Sequence, residues 1–547
     1  MGLADHPKGT RRAALAARLP SVRGMPDVHR AGRFAPHGES TLMSKRPNIL
    51  LITSDQHHFS CLGSVNEKLK TPALDRLADE GMRFERAYCN NPVCSPSRST
   101  LITGQYPSWH GCWTIGVKLG EDVPTVGDVF RENGYFTALL GKAHFQPLRS
   151  EENQVSLETP DKFRDLAFWR GFTGPWYGFD WIQINRNHGD EAWAGQHYAL
   201  WMEEKGCTNW EDFYQGGGSP KEKLKPRRGA WDIPEELHYS VFVADKTIEA
   251  IDKAQADDKP FFAWASFADP HPPYVVPEPW ASMYDPNDMT PGTLTPGEHD
   301  SNPPHFGETQ KASPDFSHWQ ESGYGNHGFH SHLVPEEQQQ KDLAIYYGMI
   351  SLMDREIGRI LDELDRRELA DNTLVVFSTD HGHFLGQHGL WYKGAFHYED
   401  LLRLPFLARW PGRIPAGEVS SALQALIDLP ETFLDACDIP IPGQMQGVSQ
   451  LGVWTGAQES ARDSVITEFR HQPTKLHLRT FITERYKLTL YRGETYGELF
   501  DLQDDPGELH NHFADPSYAT VKATLMEQWL QAEISREPTR FPRIAGA

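Results

Sequence analysis

Residues 48–56 read NILLITSDQ. The apolar run from Ile49 to Ile52 shows no alternation, which is the pattern of a strand buried on both faces, as in a parallel sheet. The run stops at Asp55 and Gln56. TPALDRLADEG (71–81) then predicts a helix with Thr71 as cap, Pro72 in the first turn and Gly81 as stop. A buried strand followed by a helix is the α/β signature, and it sets the class in which the rest of the chain is read.

Working outward, NNPVCSPSRSTLITG (90–104) predicts a short helix with Ser95 as cap, Pro96 in the first turn and Gly104 as stop. Cys94 then lies at a helix mouth with Arg98 one turn in. Unpaired N–H groups, the helix dipole and the guanidinium would together favour an anion beside the thiol. From this stretch alone, a half-buried cysteine in an ordinary capped helix reads equally well.

TVGDVFRENG (125–134) predicts a helix, and YFTALLG (135–141) a strand running into Lys142 and His144. SVFVADKTIEAIDKA (240–254) is helical and PFFAWASF (260–267) is a buried strand that leads into ADPHPPY. The longest helix is predicted over 335–369, with Ile345, Met349, Leu352 and Ile357 at helical spacing. NTLVVFSTDHGH (372–383) is a buried strand ending in Asp380 and His381, and PFLARWPG (405–412) is another. Residues 150–235, rich in Trp, Gly and charge, read as insertions over a surface, and 275–335 as one long loop. Past 435, SVITEF, RTFITER, YKLTLYR and ELFDL read as consecutive antiparallel strands closed by a helix near 521–534. The domains expected are 43–435, a large α/β unit with a mixed, mostly parallel sheet flanked by helices, and 436–547, a smaller α+β one.

At 547 residues the chain exceeds one compact core of usual size. No run approaches the roughly 18 apolar residues of a membrane span, so no membrane partner is expected. The net charge of −22 argues against nucleic acid, whose phosphates need a basic face. An anionic substrate therefore needs a local positive cluster. The six cysteines form no C-x-x-C pair and no disulfide framework. Residues 1–42 carry seven Lys/Arg against three Asp/Glu and no sustained apolar segment. They read as a disordered leader or a start placed too early, and not as a secretory signal, which places the protein in the cytoplasm rather than the periplasm or outside.

Ligands of open parallel sheets bind beyond the carboxyl ends of the strands. Four strand-like runs end in polar groups: Asp55 and Gln56, Lys142 and His144, Asp269 and His271, Asp380 and His381. Taken singly, an Asp at a strand end is often a cap and Gly-Lys a basic turn. Together, beside Cys94, they point to one site. Asp55, Gln56, Asp380 and His381 suit a hard or borderline divalent cation. Arg98, Lys142, His144, His271 and Lys393 form the required positive cluster, with room for a tetrahedral anion.

CSPSR (94–98) resembles the C-x-P-x-R signature of the type I sulfatases, in the alkaline phosphatase superfamily. NILLITSDQ, GKAH (141–144), ADPHPPY (268–274), STDHGHFLGQHGLWYKG (378–394) and YGELFDLQDDPGELHN (496–511) extend the likeness over roughly residues 45–515. The resemblance implies an alkaline-phosphatase-like fold. It further implies that a formylglycine-generating enzyme converts Cys94 to formylglycine, whose hydrated gem-diol is the nucleophile. By the same resemblance Asp55, Gln56, Asp380 and His381 hold one divalent metal ion, calcium or manganese, with the modified Cys94. Arg98 and Lys142 orient the diol, His144 is the base for elimination, and His271 with Lys393 binds the transferring group and protonates the leaving oxygen.

Many family members have a second Asp where this chain has Gln56, which leaves open the metal and the choice of sulfur or phosphorus. The expected activity is hydrolysis of a sulfate monoester, either an aryl sulfate or a sulfated sugar; the 496–511 pattern leans towards sugars. The alternative is a phosphonate monoester or phosphodiester hydrolase on the same site. A non-catalytic binding protein is disfavoured by the intact set Cys94, Arg98, Lys142, His144, His271 and Lys393. A homo-oligomer stays open.

Overall fold

The strand predicted from NILLITS spans Asn48–Ser54 and lies near the middle of an eight-stranded sheet. The computed structural model describes residues 46–214, 228–321, 323–538 and 544; the leader read over 1–42 lies outside them. In order across the sheet come Glu418–Ser420, Met82–Phe84, Leu407–Arg409, Thr373–Thr379, Asn48–Ser54, Phe261–Ser266, Phe136–Gly141 and Trp181–Ile184. The last five run parallel, and Leu407–Arg409 is antiparallel to both neighbours, so the sheet is mixed and mostly parallel.

The unbroken apolar run has its explanation in two cores. Ile49 and Leu51 face one, with Phe262, Trp264 and Leu101; Leu50 and Ile52 face the other, with Val243, Ile251, Ile357 and Ile360. Each fully buried Leu or Ile contributes about 1.5–3 kcal/mol, so a charge at any of the four would break the central strand. The second core is covered by the helices Tyr239–Ala256 and Glu336–Arg366, and in the latter Ile345, Met349, Leu352 and Ile357 are buried as their spacing predicts.

Three local expectations are corrected. Residues 150–235 are more than surface insertions, because Trp181–Ile184 pairs with Phe136–Gly141 and forms the sheet edge. Its four residues are too short for a period to show. The 275–335 segment is no bare loop: it carries the helix Pro304–Thr309, whose Phe306 packs into an aromatic cluster with Phe396 and Tyr398. The helix Pro72–Asp79 ends at Glu80, and Gly81 serves close packing instead of stopping it, since a Cβ there would lie 2.3 Å from the carbonyl of Ala408.

The C-terminal strands Ser464–Arg470, His477–Thr483, Tyr486–Tyr491 and Gly497–Asp501 form one antiparallel sheet. The helix Ala519–Ser535 covers it, with Trp529 stacked 5.8 Å from Phe481. Arg46–Ala547 is one compact unit. The small sheet also braces the segment before Cys94: Glu468 N–H donates to Asn90 O at 2.8 Å, Asn91 Nδ2 to Glu468 O at 2.7 Å, and Thr467 Oγ1 to Cys89 O at 2.6 Å.

Candidate active site

Strand register assembles the site. Ser54 is level with Thr379, and both Thr53 and Gly141 are level with Ser266, so Asp55, Lys142 and Asp380 emerge together at one edge. Gly141 is required by this closeness: its φ is +96°, and a Cβ there would lie 2.0 Å from the Ser266 carbonyl.

The helix Cys94–Thr103 enters the same edge with every residue buried. Its N-cap is the extended Val93, which has no polar side chain; Ser95 is already helical, and its carbonyl accepts from Ser99 Oγ. The expected serine cap is thus absent, and the helix mouth carries Cys94 itself. Gly104 closes the helix in the left-handed conformation, as expected.

Arg98 is fully buried and ties the strand ends together. Its Nε donates to Asp380 Oδ2 at 2.9 Å, one terminal nitrogen to Lys142 O and Ser266 Oγ at 3.0 and 2.7 Å, and the other to Asp55 Oδ2 at 3.4 Å. Lys142 Nζ also donates to Asp55 Oδ2. Burial alone would raise the Asp55 pKa, but Lys142, His271, Arg98 and His188 hold it well below the usual carboxylate range. The Cys94 thiol lies 3.2 Å from His381 Nε2 and 3.0 Å from Lys393 Nζ, and it donates to Asp55 Oδ1 at 3.7 Å. Burial and Asp55 push its pKa up; Lys142, Lys393 and His381 outweigh them and bring it down to about 7.

Ligand atoms of Asp55, Cys94, Asp380 and His381 all lie within 4.8 Å of one another, a grouping that could hold a metal ion. His381 Nδ1 donates to Gly382 O at 2.9 Å, which leaves the Nε2 lone pair directed into the group. Gln56 joins it: its N–H donates to Asp380 Oδ1 at 3.1 Å and its Nε2 to His383 Nδ1 at 2.7 Å, while its Oε1 is buried and without a partner. Two carboxylates, an amide oxygen and an imidazole suit a divalent cation, and a buried amide oxygen with no hydrogen-bond partner fits a ligand to one.

On the partly open side, Lys393 Nζ lies 3.4 Å from His271 Nε2, and His271 Nδ1 donates to Pro272 O. His144 stands one step off. Its ring Nε2 accepts from Arg186 at 2.7 Å and its backbone N–H donates to Glu158 Oε1 at 2.9 Å. Burial and the nearby Arg186 and Lys142 keep its pKa well below the ordinary histidine value, so the ring is neutral. Asp269, the remaining strand-end carboxylate, accepts from the Tyr239 and Ser240 hydroxyls at the start of the Tyr239–Ala256 helix and so ties that helix to the end of Phe261–Ser266.

Sequence reasoning missed Arg186 and His188. His188 is buried, with Nε2 2.6 Å from Lys142 Nζ and Nδ1 2.9 Å from Glu191 Oε2. Both follow the edge strand Trp181–Ile184, so reading WIQI as a strand would have brought them under the same strand-end rule.

Residues 47–439 match the family model described as sulfatase, and residues 386–535 the one described as N-sulphoglucosamine sulphohydrolase, C-terminal. The chain is 27% identical over 484 residues to an arylsulfatase of Clostridium perfringens, covering 86% of this chain and 91% of that one. It is 25% identical over 544 residues to an N-acetylglucosamine-6-O-sulfatase of Bacteroides thetaiotaomicron, covering 90% and 86%. Among solved structures, the phosphonate monoester hydrolase of Agrobacterium radiobacter superposes with a TM-score of 0.71 at 25% identity, covering 90% of this chain and 96% of that one.

Proposed function

The chain belongs to the sulfatase family and is a sulfuric ester hydrolase, and we propose that it cleaves sulfate monoesters of sugars or aryl alcohols at a formylglycine made from Cys94. The observation that carries this reading is the position of the Cys94 thiol, buried at a helix mouth within 3.2 Å of His381 and 3.0 Å of Lys393 and beside Asp55. A nucleophile on residue 94 would sit between a cation site and a cluster of positive side chains.

Asp55, Gln56, Asp380 and His381, with the modified residue 94, would hold one divalent ion, calcium or manganese, which supplies Lewis acidity and eases loss of a hydroxyl proton. Arg98 keeps the two carboxylates in place. Lys142 and Arg98 supply positive charge beside residue 94. Lys393 can only donate, so His271 accepts at Nε2 and keeps its own proton on Nδ1; the pair binds the sulfuryl oxygens and holds a proton for the leaving oxygen. His144 is the base for the elimination: its Nε2 takes the proton of the second hydroxyl of the diol on residue 94 as the Arg186 contact gives way, the carbonyl re-forms, and the C–O bond to the sulfate breaks so that sulfate leaves.

The similarity to the Bacteroides N-acetylglucosamine-6-O-sulfatase favours a sulfated sugar, and that to the Clostridium arylsulfatase an aryl ester. The likeness to a phosphonate monoester hydrolase carries a second reading, since phosphonate monoesters match sulfate monoesters in charge. Turnover of sulfated monosaccharides, an aryl sulfate and an aryl phosphonate monoester should be compared, alongside the mass of the Cys94 peptide. A sulfate ester should be the best substrate, the peptide should carry the aldehyde, and Cys94→Ala should abolish turnover. Preference for the phosphonate, or activity in protein with an intact cysteine, would refute the reading.

A further inference from the structure

His188 sits where the two halves of the positive cluster meet. Its Nε2 is 2.6 Å from Lys142 Nζ and its Nδ1 is 2.9 Å from Glu191 Oε2. Its ring lies face to face with that of His271, with centroids 3.7 Å apart and planes inclined by 16°. An ammonium has donors and no acceptor, so Nε2 must accept, the ring proton must be on Nδ1, and Glu191 must receive it. Lys142 thereby has two of its three N–H bonds committed, one to Asp55 Oδ2 and one to His188, and the third has a single direction left. The stacked face restrains the His271 ring, whose Nε2 takes the Lys393 proton donor.

We infer that His188 is a positioning residue, which orients the Lys142 ammonium through its Nε2 and the His271 ring through its face, with Glu191 setting its tautomer. It touches neither residue 94 nor a reacting atom, and acts through Lys142 and His271. The inference rests on the roles proposed above for those two residues.

The test uses the full-length enzyme, an activated aryl sulfate as substrate and inorganic sulfate as competing ligand. His188→Phe keeps a stacking ring and removes the acceptor; His188→Gln keeps an acceptor near Nε2 and removes the ring. For His188→Phe, kcat/KM should fall by about 10–100-fold, the general cost of losing a side chain that orients a functional residue from behind, and the inhibition constant for sulfate should rise. His188→Gln should recover part of the loss. In a Lys142→Met background His188→Phe should cost nothing further, because the partner it orients is gone. Equal losses in both backgrounds, or no loss in the single variant, overturn the role. If His188→Phe does not fold, Glu191→Ala replaces it: it must lower kcat/KM with Lys142 present and leave it unchanged without, and the opposite pattern overturns the role. Wild-type turnover is a separate arm: no hydrolysis of sulfate esters would refute the proposed function, whereas normal wild-type turnover with an undiminished variant refutes only the part given to His188.

Discussion

Replacing Arg98 with methionine asks whether one guanidinium holds the site's carboxylates together. Arg98 is 0% exposed and reaches Asp380 Oδ2 at 2.9 Å and Asp55 Oδ2 at 3.4 Å. After substitution Asp55 keeps Lys142, and Asp380 Oδ1 keeps the N–H groups of Gln56 and His381, but Asp380 Oδ2 loses its cation. Removing one partner of a buried ion pair costs about 3–5 kcal/mol, because the other charge stays buried without compensation. The contacts that remain argue for the lower end, about 3 kcal/mol. Urea unfolding in the presence of a chelator measures this loss. A bound divalent cation would compensate the same carboxylates and would stabilise the variant more than the wild type, so the loss should shrink in saturating calcium or manganese. A loss under about 1 kcal/mol in chelator, far below that expected for a broken buried pair, would refute the reasoning. So would an equal loss with and without the cation.

Two further outcomes are expected. Gln56→Ala should weaken divalent-cation binding by at least about tenfold, read as the cation concentration that half-shifts the melting temperature, and an unmoved midpoint would show that its free Oε1 is no ligand. His388 lies 3.1 Å from Glu298 and 3.4 Å from Asp400; burial opposes its charge, but these carboxylates raise its pKa from 6.5 to about 9. The folded value is the higher one, so this stabilisation is present below pH 6.5 and is lost as pH rises through about 9. The loss should be at most about 3 kcal/mol, measured by urea unfolding at pH 6.5 and pH 9.5, and His388→Gln should show none of it.

The sequence by itself determined the class of the fold and named most of the residues that the structure brings together in the candidate site. NILLITS and NTLVVFST could be read as doubly buried strands because nothing polar interrupts them, and a strand's end is a local signal, so Asp55, Gln56, Lys142, Asp380 and His381 were legible without coordinates. CSPSR was legible as a helix mouth, and the ordered motifs as a family likeness, which the match over residues 47–439 then established. Trp181–Ile184 was not legible, because four residues hold no period and their strand character comes from pairing with Phe136–Gly141; with it went Arg186 and His188. Nor could the chain alone say that Asp269 turns to Tyr239 and Ser240 while Asp55 turns to Arg98 and Lys142, for both are acidic residues just past a buried strand. That choice depends on which helix covers each strand end and on which charges share its buried space, and these are properties of packing between segments far apart in the chain.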